Sequence, residues 1–363
     1  MAVYRIFPEK DAFISTEVPT GNTGKDEIVE IGGYYDISGT GQANRILVKY
    51  SNDDINTAIA TIGGAGYSAS LGMYLADAST LPSNVTIHLN AISQSWDNGT
   101  GKFGDTPINT SGVSWIYRQT GEAGAWTTSG YSAGSTGSYR SQVGGGTWYT
   151  SYETTQSFSI NSATYDLTLP ATRLVQSIVN ATNPNDGFII RLQPDLEFNT
   201  TSSIRLKYFG ADTNTIYPPY LEFKWDDSSY VTGSLTVLSN GISTINLTNN
   251  RGKYTDVGKQ RFRVSARPKY PVRSFTTSSA YLTNYALPSA SYWGLKDEYT
   301  EEMVVDFDTT FTKVSCDSNG AFFDVYMDGL QPERYYRILI KTTLDGSTTV
   351  VDNQNIFKVV RNG

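Results

Sequence analysis

The chain has 363 residues, a formal net charge of −7 at pH 7 and only 17% charged residues, below the ~25% of an average soluble protein. This acidic balance excludes a nucleic-acid binder that works by neutralising phosphates, and no stretch approaches the ~18 apolar residues that insert into a membrane. The one cysteine, Cys316, excludes an internal disulfide, and the one histidine, His88, excludes a His-rich metal site.

The composition also indicates the fold class. A chain of this length predicts two or three domains. Its 25 Tyr and 33 Gly, together with abundant Thr, Ser and Asn, favour short β-strands joined by many turns. The first residues contain no apolar run followed by a small-residue cleavage site, so we expect no signal peptide and folding in a reducing cytosol.

Alternating apolar residues predict strands over 69–75 and 85–91 in the N-terminal part of the chain. His88 lies on the opposite face from the apolar residues of its run, so we expect an exposed or half-buried strand residue without a catalytic role. The segment 171–180 is the one helical candidate, because three apolar residues fall on one side of it and a proline precedes it.

Two tryptophans and two aspartates come next in the chain. Trp96 and Trp115 could form a platform for a sugar ring, but a sandwich of this size needs large residues inside, so we favour the core for both. The stretch from Asp97 to Asp105 could place oxygen atoms around a calcium ion. Because it lacks the spacing and closing glutamate of an EF-hand, a plain turn is favoured over calcium, and no other cofactor is expected.

A Gly/Ser-rich insertion follows over 121–151, and it predicts a long loop or a loosely ordered hairpin. Aromatic side chains on such a loop need a partner to cover them. The partner could be the same domain, a neighbouring subunit or a sugar ring; a neighbouring subunit is our first choice and a glycan our second. The contact candidates are Trp126, Tyr131, Tyr139, Trp148 and Tyr149.

The first 226 residues carry an ordered series of short motifs. They are 11–14 (DAFI), 28–33 (IVEIGG), 44–50 (NRILVKY), 95–96 (SW), 112–115 (GVSW), 187–192 (GFIIRL) and 219–223 (PYLEF). This series resembles the DNRLRE domain, a β-sandwich module of disaggregatase-related and polysaccharide-associated proteins. The resemblance implies a jelly-roll-type β-sandwich over 1–226, with 121–151 as an unusually long insertion.

The C-terminal part shows hairpin signals at Asp345-Gly346 and Asn319-Gly320. The spacing of Leu330, Pro332 and Tyr336 resembles the tyrosine corner of fibronectin type III modules, in which the tyrosine hydroxyl binds back to the upstream backbone. The resemblance implies an immunoglobulin-like β-sandwich over 258–363, joined to the first domain by a connecting β segment, 227–257. In the strand at 336–341 we expect Tyr336, Ile338 and Ile340 to face the core and Arg337 and Lys341 to face outward.

The run 327–336 (MDGLQPERYY) is similar to a segment in structural proteins of tailed bacteriophages, notably T4-like phages of cyanobacteria. This resemblance implies a virion protein of the tail, baseplate, neck or capsid exterior. Its partners would be other virion proteins and copies of itself, with a host-surface glycan as a further partner. Assembly would take place in the host cytoplasm, without nucleic-acid binding or membrane insertion.

No motif in the sequence assembles catalytic groups. We find no paired carboxylates in a recognisable pattern, no serine nucleophile with a histidine base nearby and no phosphate-binding loop. The expected function is therefore a non-enzymatic structural one. A carbohydrate-binding module for host attachment is the alternative, and a polysaccharide-degrading enzyme, with two carboxylates ~5–10 Å apart, is the third.

Overall fold

The computed structural model describes residues 2–79, 84–120, 124–126, 138–139, 142–199, 201–272 and 283–362, and these form an all-β protein. They contain 23 strands and two α-helices. The helices are α1 (Asn52–Ile62) and α2 (Thr172–Val179). The strands are β1 (Ala2–Ile6), β2 (Pro8–Ser15), β3 (Ile28–Tyr35), β4 (Gly41–Tyr50), β5 (Tyr67–Met73), β6 (Leu75–Ser79), β7 (Asn84–Ala91), β8 (Ser138–Tyr139), β9 (Gln142–Val143), β10 (Thr154–Ser159), β11 (Leu167–Pro170), β12 (Phe188–Leu192), β13 (Ile204–Phe209), β14 (Tyr220–Trp225), β15 (Ser243–Leu247), β16 (Lys253–Thr255), β17 (Lys259–Pro268), β18 (Tyr292–Asp297), β19 (Met303–Val305), β20 (Ser315–Asp317), β21 (Gly320–Tyr326), β22 (Tyr335–Leu344) and β23 (Ser347–Val360).

The chain divides into two compact units. The first unit comprises Ile6–Thr61 and Ser68–Glu222, and the second comprises Phe223–Gly363 together with Met1–Arg5 and Ile62–Tyr67. The division at 222/223 lies beside the expected boundary at 226/227. The expected domain 1–226 included the two short segments Met1–Arg5 and Ile62–Tyr67, which the structure assigns to the second unit instead.

The first unit is built on an eight-stranded antiparallel sheet of order β10-β7-β12-β4-β3-β13-β6, with β2 paired to β4. In β7 the apolar residues Val85, Ile87 and Leu89 are buried and alternate with half-buried Thr86 and His88, as the sequence pattern predicts. All five residues of β12 are buried, so both faces of the sheet are covered at its centre. Strands β5 and β11 of this unit pair antiparallel, with Leu167 opposite Met73.

Helix α2 confirms the predicted helix, but α1 is a helix that the sequence analysis missed. Its buried residues Ile55, Ala58 and Ile62 recur at helical spacing. The hydroxyl of Ser51 accepts a hydrogen bond of 3.1 Å from the backbone N–H of Asp53, which caps the first turn. The sequence pattern did not predict this helix because the segment is short and rich in Asn, Asp and Thr, which are weak helix formers.

The second unit is an immunoglobulin-like sandwich. One sheet has the order β15-β17-β21-β20 and the other the order β16-β23-β22-β18-β19. Taken in chain order, the first corresponds to strands A, B, E and D of the immunoglobulin fold, and β18, β22 and β23 correspond to C, F and G. A core that includes Phe262, Trp293, Phe323 and Phe357 fills the space between the sheets.

The segment 227–257 is part of this sandwich rather than a connection outside it. Strand β15 pairs antiparallel with β17, and β16 pairs in parallel with the end of β23. The sandwich therefore begins before residue 258. The sequence assigned the segment to neither side because the pairing partners of both strands are distant in the chain.

The tyrosine corner forms as expected. The hydroxyl of Tyr336 donates a hydrogen bond of 3.1 Å to the backbone carbonyl of Gln331. Leu330 and Tyr336 are buried, and Pro332 between them is half-buried. Ring contact between Tyr336 and Phe357, with centroids 5.7 Å apart, fixes the start of β22 on the core.

Both predicted hairpins form, one of them with its turn displaced. Asp345 and Gly346 have φ values of +49° and +72° and join β22 to β23 directly, as the type I′ turn requires. In the other hairpin Asp317 pairs with Gly320. The two turn residues there are 318 and 319, and Gly320 is the first residue of β21.

Arg337 lies on the outward face of β22, as expected, because Tyr336 and Ile338 on either side of it belong to the core, but its side chain is buried. Its guanidinium lies 3.3 Å from both Glu298 and Glu301 and 3.6 Å from Asp352. These carboxylates cover the outer face of β22. The segment 297–302 (DEYTEE), which is rich in acidic residues, therefore contacts the sheet through this arginine.

Candidate interaction site

The two ends of the insertion are packed into the core of the first unit. Trp115, Trp126 and Trp148 lie in one apolar cluster with sheet residues such as Leu47 and Ile189. The indole N–H of Trp126 donates to the carbonyl of Ser114 at 3.0 Å. Trp148 is held by a backbone bridge to Ile92.

Arg45, on β4, connects this cluster to the sheet, and its side chain is fully buried. Its guanidinium makes a two-point ion pair with Glu197, with distances of 2.8 and 2.7 Å. It also donates a hydrogen bond of 2.5 Å to the carbonyl of Gly145. The guanidinium carbon lies 4.9 Å from the ring centre of Trp115 and 5.1 Å from that of Trp148, so both indoles receive a cation–π contact.

A second arginine extends the arrangement. Arg191, on β12, lies 4.9 Å from the ring centre of Trp148 and forms an ion pair of 2.7 Å with Glu153. The other carboxylate oxygen of Glu153 lies 3.0 Å from Nδ1 of His88. Although burial opposes ionisation of Glu153, hydrogen bonds from His88 and Asn90 and the charge of Arg191 lower its pKa.

The three consecutive glycines of the insertion have a packing reason. Gly145 has a φ of +83°, and a Cβ atom there would lie 2.5 Å from the Arg45 guanidinium and 2.7 Å from the Trp115 ring. Gly146 has a φ of +86°, and its Cβ would lie 2.9 Å from Ile189. The backbone can therefore approach the arginine and the indole only without side chains. We call this anchored base, formed by Arg45, Glu197, Gly145, Trp115 and Trp148, the Arg45 anchor.

The contact candidates of the insertion divide into three groups. Trp126 and Trp148 are 2% and 3% exposed, so their indole faces are not available to a sugar or a neighbouring subunit, which corrects the expectation for both. Tyr149 is half-buried, and its backbone N–H donates to Ala91 at 2.9 Å. Tyr139 is described only as a strand residue of the β8–β9 pair, and Tyr131 lies outside the described residues.

Trp96 and Trp115 occupy the core, as the sequence favours, with exposures of 2% and 0%. The indole N–H of Trp96 donates to the carbonyl of Asp186 at 2.9 Å. Cys316 is also buried, and burial together with the charge of Asp317 raises the pKa of its thiol, as expected of a structural residue.

The loop from Asp97 to Asp105 is organised by an asparagine that the sequence analysis missed. The amide of Asn22 donates to the carbonyls of Asn98 and Val113 at 2.7 and 2.8 Å and accepts from the N–H of Gly101 at 2.7 Å. Asp105 accepts a backbone hydrogen bond from Lys102, which closes a turn. Among the described residues, no group of three or more His, Cys, Asp or Glu side chains is placed to hold a metal ion.

A cavity of about 310 Å³ opens on the first unit, and we call it the Phe103 pocket. Phe13, Ile28 and Phe103 form its apolar wall, while Asp26, Glu30, Arg205 and Lys207 supply its polar groups. No sequence pattern indicated it, because its residues come from three distant parts of the chain.

Comparisons with known proteins assign neither a family nor a function to this chain. No family model matches it, and no curated protein matches it. One solved structure with some similarity is a DUF4785 family protein of Legionella pneumophila, at 7% sequence identity and a TM-score of 0.18. The alignment covers 98% of this chain and 66% of that one, so this chain spans about two thirds of its length. Neither helix that the structure describes is long and apolar enough to span a membrane.

Proposed function

We propose that this protein is a non-enzymatic structural component of a bacteriophage virion, which assembles with its neighbours through the insertion and its sheet edges. The observation that carries the proposal is the Arg45 anchor. Together with Trp126, which lies in the same apolar cluster as Trp115 and Trp148, it holds the residues on either side of a segment, 127–143, that contains two tyrosines and one arginine but no acidic residue. On a chain with a net charge of −7, such a segment suits contact with the acidic surface of another copy.

The anchor also has an energetic consequence for assembly. Ordering a loop on binding costs conformational entropy, and a loop that is held at both ends has less entropy to lose. A buried two-point ion pair at the base would be unnecessary for a simple linker. The sheet of the first unit supplies a packed scaffold of the kind on which binding loops are commonly presented.

Two alternatives have weaker support. Sugar binding through the insertion could not use the indole rings of Trp126 and Trp148, because both are buried. A polysaccharide-degrading enzyme needs two available carboxyl groups. The buried glutamates Glu30 and Glu197 are each held by an arginine in a two-point ion pair, which is a structural use of the carboxylate.

Two measurements test the proposal. Mass spectrometry of purified particles from the phage that encodes the chain should detect it, and its absence from the particles rejects a virion role. Light scattering and negative-stain electron microscopy of the purified protein should show a closed oligomer. A protein that stays monomeric at high concentration, alone and with the other particle proteins, contradicts assembly through its own contacts.

Paired variants locate the contact. Replacing Tyr131 and Tyr139 together by serine should weaken self-association while leaving the melting temperature unchanged. Tyr270→Ser is the control, because Tyr270 is 72% exposed in the second unit. If the double variant and the control lose self-association equally, the insertion does not form the interface.

A further inference from the structure

The Phe103 pocket combines an apolar wall with hydrogen-bonding groups on one side of the first unit. Phe13 and Phe103 contact each other with ring centroids 5.4 Å apart and planes tilted by 37°. Phe13 is buried, whereas Phe103 and Ile28 are half-buried and keep part of their surface open to the cavity. Such a wall offers an apolar surface to the C–H face of a ring-shaped ligand.

The backbone of Phe103 is held in place by one of the polar groups of the pocket. Oδ2 of Asp26 accepts a hydrogen bond of 2.9 Å from the backbone N–H of Phe103. The Asp26 carboxyl group makes no other hydrogen bond to the residues that the structure describes, so Oδ1 can accept a ligand hydroxyl. Burial raises the pKa of Asp26 to about 6, although the Phe103 N–H opposes the shift.

The cations of the pocket are already neutralised. Glu30 is 5% exposed and accepts from Arg205 at 2.7 and 3.2 Å and from Asn44 at 2.6 Å. Lys207 lies 3.6 Å from Asp77. Since each cation has a carboxylate partner, the site provides N–H donors without an excess of positive charge.

We infer that the Phe103 pocket binds one neutral hexose unit of a glycan. A hexose presents C–H groups on one face for Phe103 and hydroxyls at its edge for Asp26, Arg205 and Lys207. The volume of about 310 Å³ lies at the lower end for ligand pockets, which run from ~300 to 1,000 Å³, and this suits a single ring. An anionic sugar would meet the Asp26 and Glu30 carboxylates, so a neutral one is favoured.

This activity goes beyond the structural role, and its test is independent of assembly. Saturation-transfer difference NMR on the whole protein would use the methyl glycosides of glucose, galactose and mannose, trisaccharides of the same sugars, and glucuronate as the anionic probe. We expect signals from at least one neutral sugar and none from glucuronate. A signal from methyl glycosides indicates recognition of a single unit, and a signal from trisaccharides alone indicates a unit within a glycan. No signal from any neutral sugar, or a preference for glucuronate, overturns the inference.

Matched variants place the binding in the pocket. Phe103→Ala and Lys207→Met should each weaken binding roughly tenfold. The controls are Tyr152→Ala, a 43% exposed aromatic residue of the same unit, and Lys49→Met, whose lysine also lies 3.6 Å from a carboxylate, that of Glu9. Both controls should bind as the wild type does. If Phe103→Ala does not fold, Lys207→Met decides, and unchanged binding in Lys207→Met overturns the assignment to this pocket.

Discussion

Asp11 shows at the scale of one residue how burial couples the first unit to pH. Its side chain lies on β2, is 2% exposed and accepts a hydrogen bond of 2.8 Å from the backbone N–H of Ala211. Burial raises its pKa from 3.8 to about 7; the hydrogen bond opposes this shift and nearby Asp212 adds to it. The folded protein therefore binds a proton that the unfolded chain releases between these pH values.

The sign of the effect follows from this difference. The contribution of protonated Asp11 to the free energy of unfolding is fully present below about pH 4, and it is lost as the pH rises through about 7. Asp11→Asn keeps an acceptor for Ala211 but cannot ionise. We expect it to raise the free energy of unfolding by about 2–4 kcal/mol near pH 8 and to change it little near pH 4. Urea denaturation at both pH values measures this, and an equal effect at the two would refute the assignment.

Arg45 supports a second prediction at this scale. Arg45→Met leaves the Glu197 carboxylate buried without its partner and removes the hydrogen bond to Gly145. We expect a loss of about 3–5 kcal/mol in the free energy of unfolding. Adding Glu197→Met should recover a large part of the loss, because two well-packed apolar residues need no charge partner. A double variant that is less stable than Arg45→Met contradicts this account of the anchor.

Single residues were predictable where local pattern decided their environment. The core placement of Trp96 and Trp115 was predicted because a sandwich of this size needs large residues inside. Trp126 and Trp148 gave no such signal, because their surroundings are rich in Gly and Ser and their partners, Arg45 among them, lie far away in the chain. A glycine triplet beside aromatic residues was the available sign that the backbone comes close to a buried group there.

The tyrosine corner gives a prediction at the scale of an element, since it fixes the turn that leads into β22. Tyr336→Phe removes the hydroxyl that donates to Gln331 and leaves the ring in place. We expect a loss of about 1–3 kcal/mol in the free energy of unfolding of the second unit. Tyr335→Phe is the neighbouring control, since Tyr335 is 36% exposed. A thermal scan in which both variants melt like the wild type would show that the hydrogen bond contributes nothing to stability.

Elements were predicted well where the signal is local and poorly where it depends on tertiary contacts. The turn Asp345-Gly346 was identified because few residues tolerate the positive φ that it needs. Helix α1 was missed because its helix formers are weak and its stability comes from the buried side formed by Ile55, Ala58 and Ile62. The segment 227–257 was recognised as β structure, but the sheets to which β15 and β16 belong could not be assigned from the sequence.

At the scale of the whole molecule, the all-β class and a division near residue 226 followed from composition and motif order. The sequence did not predict that the first residues belong to the second unit. Val3 lies in the apolar core of that unit, although more than two hundred residues separate it from Phe223, where the main part of the unit begins. Pairing across such a distance leaves no periodic trace in the sequence. The second unit thus includes both the beginning and the end of the chain.

Because the first residues belong to the second unit, we expect a substitution near the N-terminus to destabilise that unit. Tyr4 is 4% exposed, and its ring contacts Tyr326 edge-on with centroids 5.9 Å apart. Tyr4→Ala should lower the stability of the second unit by about 3 kcal/mol, as expected for loss of a buried aromatic ring. Hydrogen exchange followed by mass spectrometry should therefore show faster exchange in β21, while β12 at the centre of the first unit exchanges as before. Faster exchange in β12 with β21 unchanged would place the N-terminal strand in the first unit instead.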